Sequence, residues 1–104
     1  MLTSKDLPIL SGPGFDYIFS IYDCARKAYT APFLATTLEQ AKRFCVDQIN
    51  VSPTSYFALY PNSFLLHCIG SFNHDDSRIE SYSPYRIGTF AEIQNDVKES
   101  SKDA

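Results

Sequence analysis

The chain places tyrosines beside basic residues at two points. Arg26 and Lys27 come just before Tyr29, and Tyr85 comes just before Arg86. Proteins that bind single-stranded nucleic acid stack bases on aromatic rings and follow the phosphates with Lys and Arg. With the basic pair of a predicted helix included, the candidate nucleic-acid-binding residues are Arg26, Lys27, Tyr29, Lys42, Arg43, Tyr85 and Arg86. In this interpretation the basic side chains contact phosphates and the tyrosines stack on bases.

The overall charge argues against tight, autonomous binding to a DNA duplex. Nine Lys or Arg residues stand against twelve Asp or Glu residues, which gives a net charge of −3. A protein that holds a duplex through many phosphates is usually basic. Residues 24–43 are the exception, with four basic residues against Glu39 alone, a local charge of +3. Two interpretations are therefore compatible with the sequence. The protein has a basic face on an otherwise acidic surface, or these tyrosines only pack at the edge of a sheet.

Other chemistry-bearing residues do not form a recognisable constellation. His67 and Cys68 are adjacent in a predicted strand, so their side chains point to opposite faces and cannot share a metal ion. His74, Asp75 and Asp76 offer metal ligands in a loop, but Asp side chains in such loops more often form turn hydrogen bonds. The sequence predicts no enzyme, no catalytic residue, no metal and no cofactor. An enzymatic role ranks third among the functions considered and rests only on the histidines and cysteines.

The elements that position these residues belong to a small α+β domain. Period-two alternation of apolar and aromatic residues predicts strands at Phe15–Asp23, 63–72 and 78–82, and residues 28–33 and 85–88 are candidates for short extended segments. Pro32 restricts the 28–33 segment to a sheet edge, and Pro84 separates 78–82 from 85–88. The strand over 63–72 is apolar on both sides, so we expect it at the centre of the sheet or under a partner. The prediction is an antiparallel sheet of three or four strands.

One main amphipathic helix should pack on one face of this sheet. Thr36 with Glu39, or Thr37 with Gln40, forms a capping box at its start. The apolar stripe that follows consists of Leu38, Ala41, Cys45 and Ile49, and places Lys42 and Arg43 on the exposed side. A second capping box, Thr89 to Glu92, predicts a short C-terminal helix over about 90–96.

The domain is predicted to span residues 15–97, after a flexible leader over 1–14 and before a frayed polar tail over 98–104. Three cysteines without a CxxC motif predict free thiols in a reducing compartment. The sequence shows no signal peptide and no membrane span, so we expect a cytoplasmic protein.

Several short motifs resemble one known family in their order and spacing. They are Phe19-Ser20-Ile21-Tyr22-Asp23, Ala28-Tyr29, Ala31-Pro32-Phe33-Leu34-Ala35, Ala41, Phe44, Tyr60-Pro61-Asn62, Leu66-His67-Cys68-Ile69-Gly70-Ser71-Phe72, Ser83-Pro84 and Ile87-Gly88. Over about 19–88 the chain resembles the nonstructural protein of gokushovirus-type microviruses, which are small isometric single-stranded DNA phages. The resemblance implies a cytoplasmic phage protein that is absent from the virion and linked to genome replication. It implies no catalytic residue.

Two functional hypotheses follow. The first is a nonstructural accessory protein that acts in viral genome replication and single-strand DNA synthesis by binding single-stranded DNA. The alternative is an adaptor, independent of nucleic acid, that binds a viral or host replication protein through its sheet edge. The apolar strands also predict a homo-oligomer. Added salt should weaken DNA binding steeply and change an apolar protein interface little.

Overall fold

The computed structural model describes the backbone of residues 14–102 and the side chains of residues 14–98. This part of the chain contains five antiparallel strands and three α-helices. The strands are β1 (Phe15–Asp23), β2 (Ala28–Tyr29), β3 (Phe33–Ala35), β4 (Phe64–Asn73) and β5 (Ile79–Thr89); the helices are α1 (Leu38–Asn50), α2 (Tyr56–Leu59) and α3 (Phe90–Lys102). The α+β class is confirmed, with more strands than expected. The predicted leader, apart from Gly14, lies outside the described residues.

The sheet is built around β1 and β4. β4 lies between β1 and β5, which confirms its predicted central position. Both β2 and β3 pair with β1, so the expected segment at 28–33 becomes two short edge strands on either side of Pro32. The register of β1 and β4 shifts between Ile18 and Phe19, which leaves Ile69 as the extra residue of a β-bulge.

All three helices pack on one face of the sheet. Phe19, Ile21, Leu66 and Cys68 point to this face and are almost completely buried. They form a single core with α1, α2 and α3, whose contributions are Leu38, Ala41, Cys45, Ile49, Phe57, Ala58, Phe90 and Ile93. The structure is therefore a two-layer arrangement in which one sheet face is covered by helices.

Local capping signals place the helices. Thr37 caps α1 because its hydroxyl accepts a hydrogen bond from the Gln40 backbone N–H at 3.1 Å, so the later of the two predicted frames is used. Thr89 and Glu92 form the second predicted capping box, since each side chain accepts from the backbone N–H of the other. Helix α3 continues to Lys102, past its expected end near 96, because no Gly or Pro interrupts residues 97–102.

The prediction that Pro84 separates two strands is wrong. β5 runs without a break from Ile79 to Thr89. The register moves from a Cys68–Tyr85 pair to a Gly70–Ser81 pair, so β5 has extra residues around Pro84 that do not need to pair. Because β5 pairs only with β4 among the described strands, its outer edge also tolerates a residue without an N–H.

The cysteines are free thiols in the described structure, as predicted. Cys24 is exposed, whereas Cys45 and Cys68 are buried. Burial raises the pKa of the Cys45 thiol to about 12, so this thiol stays protonated in the folded chain. Among the described residues, no helix combines the length and the apolar character needed to cross a membrane.

Candidate nucleic-acid interface

The sheet face opposite the helices is not covered by any described helix. Residues that alternate with the core point to this open face, and paired residues of neighbouring strands share it. The open-face residues of the central strands include Ile18, Ser20, Tyr22, Leu65, His67 and Phe72. These side chains do not belong to the helix-covered core.

Three rings from three strands meet at one end of the open face. The ring centroids of Tyr22 and Tyr29 are 4.9 Å apart, those of Tyr29 and His67 are 5.5 Å apart, and those of Tyr22 and His67 are 6.2 Å apart. The register explains this meeting, since Tyr22 pairs with Tyr29 on one side while His67 pairs with Ser20 on the other. Tyr29 remains 46% exposed. The result is an aromatic surface that solvent can reach.

Arg86 completes this group, which we call the open-face cluster: Tyr22, Tyr29, His67 and Arg86. Arg86 pairs with His67 in the β4–β5 register. Desolvation by burial, and secondly the charge of Arg86, lower the pKa of His67 below its usual 6.5. His67 is therefore neutral at physiological pH, and Arg86 supplies the positive charge of the cluster.

The guanidinium of Arg86 is held at the sheet edge by α3. Its Nη2 donates to Glu92 Oε1 at 2.8 Å. The pKa of Glu92 is lowered, first by the hydrogen bond from the Thr89 backbone N–H and then by Arg86, so this carboxylate is ionised at neutral pH. Both side chains of the pair are about half exposed. Exposed pairs of this kind contribute little to stability, so a phosphate group can compete for the guanidinium.

Arg26 and Lys27 lie beside the cluster in the β1–β2 turn. The Oδ1 atom of Asp23 accepts hydrogen bonds from the backbone N–H groups of Ala25 and Arg26, at 3.0 and 3.2 Å, and Lys27 has a positive φ of 55°. These features close the turn that brings Tyr29 back beside Tyr22. Both basic side chains are exposed at its tip.

The placement of Lys42 on an exposed helix face is wrong. Its side chain is only 4% exposed, and its Nζ donates to Asp96 Oδ2 at 2.6 Å. Lys42 follows Leu38 by one helical turn, and α3 covers that side of α1. The periodicity of α1 alone could not reveal α3, so Lys42 is removed from the candidate surface.

The structure separates two other predicted residues from the open-face cluster. Arg43 is exposed on α1, which belongs to the helical layer. Tyr85 pairs with Cys68 and packs against the core, so its ring points to the helix-covered face. Of the seven predicted residues, Tyr29 and Arg86 are in the cluster, and Arg26 and Lys27 lie next to it.

His67 was not among the predicted site residues, and Tyr22, a stacking candidate at the end of the first predicted strand, is outside the final set of seven. Alternation in the two strands already places both side chains opposite the core. The missing signal was the short β2 pairing, because it alone brings Tyr29 into contact with both rings.

The acidic loop after β4 uses its side chains for local contacts. The Oδ1 atom of Asn73 accepts from the Asp75 backbone N–H at 2.8 Å, and the Oδ1 atom of Asp76 accepts from the Arg78 backbone N–H at 3.0 Å. His74 Nε2 lies 3.2 Å from Asp16 Oδ2. These are turn hydrogen bonds and a contact between an imidazole nitrogen and a carboxylate oxygen. In the part of the chain that the structure describes, no three His, Cys, Asp or Glu residues are grouped as metal ligands.

The fold and the cluster define a small α+β protein whose sheet has one aromatic, uncovered face. The family model described as Phage ORF5 protein matches residues 16–93. The chain therefore belongs to the Phage ORF5 protein family, and the matched span includes the whole open-face cluster. Comparison with curated proteins and with solved structures gives no match.

Proposed function

We propose that this chain is a nonstructural accessory protein of a gokushovirus-type microvirus. It acts in the host cytoplasm, in viral genome replication and single-strand DNA synthesis, by binding single-stranded DNA. The observation that carries the proposal is the open-face cluster, in which three rings and a guanidinium share an uncovered sheet face. Family membership supports the phage setting. The resemblance in sequence supports the microvirus assignment.

Bases would stack on the exposed ring of Tyr29 and its neighbours. Every base has a π-face, so stacking on Tyr22 and Tyr29 tolerates any sequence. The neutral imidazole of His67 extends the same surface without adding charge. A replication factor that follows a whole genome strand needs this kind of sequence tolerance.

Basic side chains would hold the phosphates on two sides of the rings. Arg86 lies on the β5 side, and Arg26 and Lys27 lie at the tip of the β1–β2 turn. A duplex offers its phosphates but keeps its bases stacked, whereas a single strand offers both. Because the chain carries a net charge of −3, phosphate contacts alone give little affinity, and single strands should be preferred.

Fluorescence anisotropy with labelled oligonucleotides tests the proposal. The protein is titrated into single-stranded and double-stranded DNA at low and at physiological salt. We expect preferential, salt-sensitive binding to the single strand. Replacing Tyr29 by Ala should weaken it about 5-fold to 100-fold, as expected for the loss of one base-stacking contact.

Two arginines provide a matched control. Arg86→Ala and Arg43→Ala remove the same charge from two exposed positions, one in the cluster and one on α1. We expect Arg86→Ala to weaken binding and Arg43→Ala to change it little. Equal losses in both variants would mean that only net charge matters, and no binding at low salt would exclude the proposal.

A second candidate is the adaptor that binds a viral or host replication protein. It is favoured by apolar residues at the other end of the open face, where Ile18 pairs with Leu34 and Phe72 pairs with Ile79. Leu34 is 53% exposed and Ile79 is 64% exposed. An apolar interface there should resist added salt and should be lost in Leu34→Glu, while Tyr29→Ala should spare it.

The same apolar end suits a second copy of the chain, and we propose self-association there. Sedimentation velocity over a range of protein concentrations measures it. The expected result is a dimer that Leu34→Glu converts to a monomer. A monomer at all concentrations would exclude this part of the proposal.

A further inference from the structure

A groove of about 780 Å³ lies between the β1–β2 hairpin and α2. Its lining residues include Asp23, Arg26 and Thr30 from the hairpin side, and Tyr56, Phe57 and Tyr60 from the α2 side. Phe64, at the start of β4, also lines it. The groove is therefore bounded by a basic turn on one side and by aromatic rings on the other.

The fold does not account for two of these rings. Phe57 packs inwards, with ring centroids 4.7 Å from Phe64 and 5.1 Å from Phe90. Tyr56 and Tyr60 are instead 72% and 55% exposed, and their rings stack on each other at 6.3 Å and 28°. The segment from Tyr56 to Tyr60 thus packs a single ring against the core and presents two others side by side to solvent. Exposed aromatic pairs of this kind mark binding surfaces.

Arg26 supplies the charge across from these rings. The carboxylate of Asp23, the acidic residue of the lining, accepts hydrogen bonds from the turn backbone through Oδ1. The guanidinium of Arg26 makes no ion pair with any described residue. A cation that faces aromatic rings across a groove is complementary to a nucleotide, which combines a negative phosphate with a planar base.

The groove and the open-face cluster lie on opposite sides of the β1–β2 hairpin. Tyr29 and Thr30 are consecutive, and consecutive residues of an extended segment point to opposite sides. Tyr29 lies in the cluster, and Thr30 lines the groove. A DNA single strand that crosses the tip of the hairpin would therefore pass from the open-face cluster to the groove. Arg26 and Lys27 lie where it crosses.

We infer that the groove is a second base-stacking site for the same DNA single strand that occupies the open-face cluster. Tyr56 and Tyr60 stack on bases, and Arg26 contacts the phosphate between the two sites. This inference rests on the proposed function. It adds a path for the DNA single strand around the hairpin. It also implies a minimum oligonucleotide length, below which the groove stays empty.

Tryptophan reporters test the path, because the chain contains no Trp. Tyr29→Trp reports the open-face cluster, Tyr60→Trp reports the groove, and Val51→Trp at the end of α1 is the control, since Val51 is 75% exposed. Each variant is titrated with oligothymidylates of about 4 and about 20 nucleotides, which bracket the site sizes of small single-strand binders. We expect quenching of the Tyr29→Trp variant by both lengths, of Tyr60→Trp by the long one alone, and of Val51→Trp by neither.

A double variant provides the affinity measurement. Tyr56→Ala with Tyr60→Ala removes both exposed rings and keeps Phe57 in the core. By anisotropy, affinity for the long oligonucleotide should fall about tenfold or more, while affinity for the short one should not change.

The possible outcomes separate the inference from the function beneath it. If Tyr29→Trp responds and Tyr60→Trp is silent at every length, the groove inference is overturned and the proposed function stands. If neither reporter responds and no anisotropy change occurs, the proposed function itself fails. If the short oligonucleotide quenches Tyr60→Trp with an affinity that Tyr29→Ala does not alter, the sites are independent and the single path is overturned.

Discussion

The two faces of the sheet are built from alternate residues of the same strands, yet they differ in what they hold. On the helix-covered face, Phe19, Leu66 and Cys68 have no exposed surface. On the open face, Tyr22 and His67 are only partly buried and contact each other as rings. The side chains of the covered face are buried and cannot contact a ligand, whereas a ligand can reach the large rings of the open face.

Along each β-strand, residues that should determine folding stability therefore alternate with residues that should determine ligand binding. Full burial of a large apolar side chain contributes about 1.5–3 kcal/mol, whereas a cross-strand pair on one sheet face contributes about 0.2–1 kcal/mol. Substitutions on the covered face should therefore act on folding, and those on the open face should act on ligand affinity.

Adjacent leucines of β4 give the largest expected contrast. Leu66 is completely buried in the core, and Leu65 is partly buried on the open face. Leu66→Ala should lower the free energy of unfolding by about 2–5 kcal/mol, because it removes packed methyl groups and leaves a cavity. Leu65→Ala should lower it by less than about 1 kcal/mol. Urea denaturation measures both, and equal losses would contradict the assignment of the two faces.

A neighbouring pair on α1 sharpens the same contrast for charged residues. Lys42→Ala leaves Asp96 without its ion-pair partner between α1 and α3, and should cost about 3 kcal/mol of unfolding free energy. Arg43→Ala, at the exposed position beside it, should cost less than about 0.5 kcal/mol. Replacing both members of the pair, as in Lys42→Met with Asp96→Leu, should recover most of the loss. If Lys42→Ala unfolds at the same urea concentration as the parent, the ion pair does not hold α3 in place.

Gly70 lies on the open face, but a substitution there should lower stability, as a substitution in the core would. A Cβ atom there would collide with the backbone carbonyl oxygen of Glu80 on β5. Gly70→Ala should therefore destabilise the chain by about 1–3 kcal/mol.

Gly88 provides the matched control for Gly70. A Cβ atom there would meet only Glu92 and Ile93 side-chain atoms, at 3.5–3.8 Å. Gly88→Ala should be neutral or stabilising by about 0.4–1 kcal/mol, because Ala restricts the unfolded chain. Urea denaturation measures the free energy of unfolding of both variants. If Gly70→Ala is as stable as the parent chain, β4 and β5 separate more easily than their pairing implies.

Local signals predicted most of the elements, and long-range contacts account for the differences. The Thr37 and Thr89 caps, the β1 alternation and the central β4 strand each depend on residues close together in the sequence. The burial of Lys42 depends on α3, which lies far along the chain. The continuity of β5 across Pro84 depends on its position at an edge, and a proline's neighbours do not reveal that position.

The candidate site was predicted in part for the same reason. Tyr29 and Arg86 were found from their residue types alone. Their meeting with His67 requires β2 to pair with β1 and β5 to pair with β4, and neither register is encoded in a short window. The stacked rings of Tyr56 and Tyr60 were missed because the four-residue helix α2 has no periodicity to reveal which side faces solvent.

The smallest expected effect is a pH dependence of stability from the open face. The pKa of His67 is lower in the folded chain than in the unfolded chain, because of burial and then Arg86. As the pH falls, the unfolded state therefore binds the proton first. Stability from this residue is fully present above the unfolded pKa of about 6.5 and decreases as the pH falls from there through the folded pKa.

His67→Gln should remove this slope between about pH 7 and pH 5, and Arg86→Ala should reduce it by removing the smaller of its two causes. Urea denaturation at several pH values measures the slope. Core variants such as Leu66→Ala should shift the whole curve downwards without changing its dependence on pH, because no titrating group is altered. If His67→Gln keeps the slope of the parent chain, another group carries it, and the imidazole is then as well hydrated in the folded cluster as in the unfolded chain.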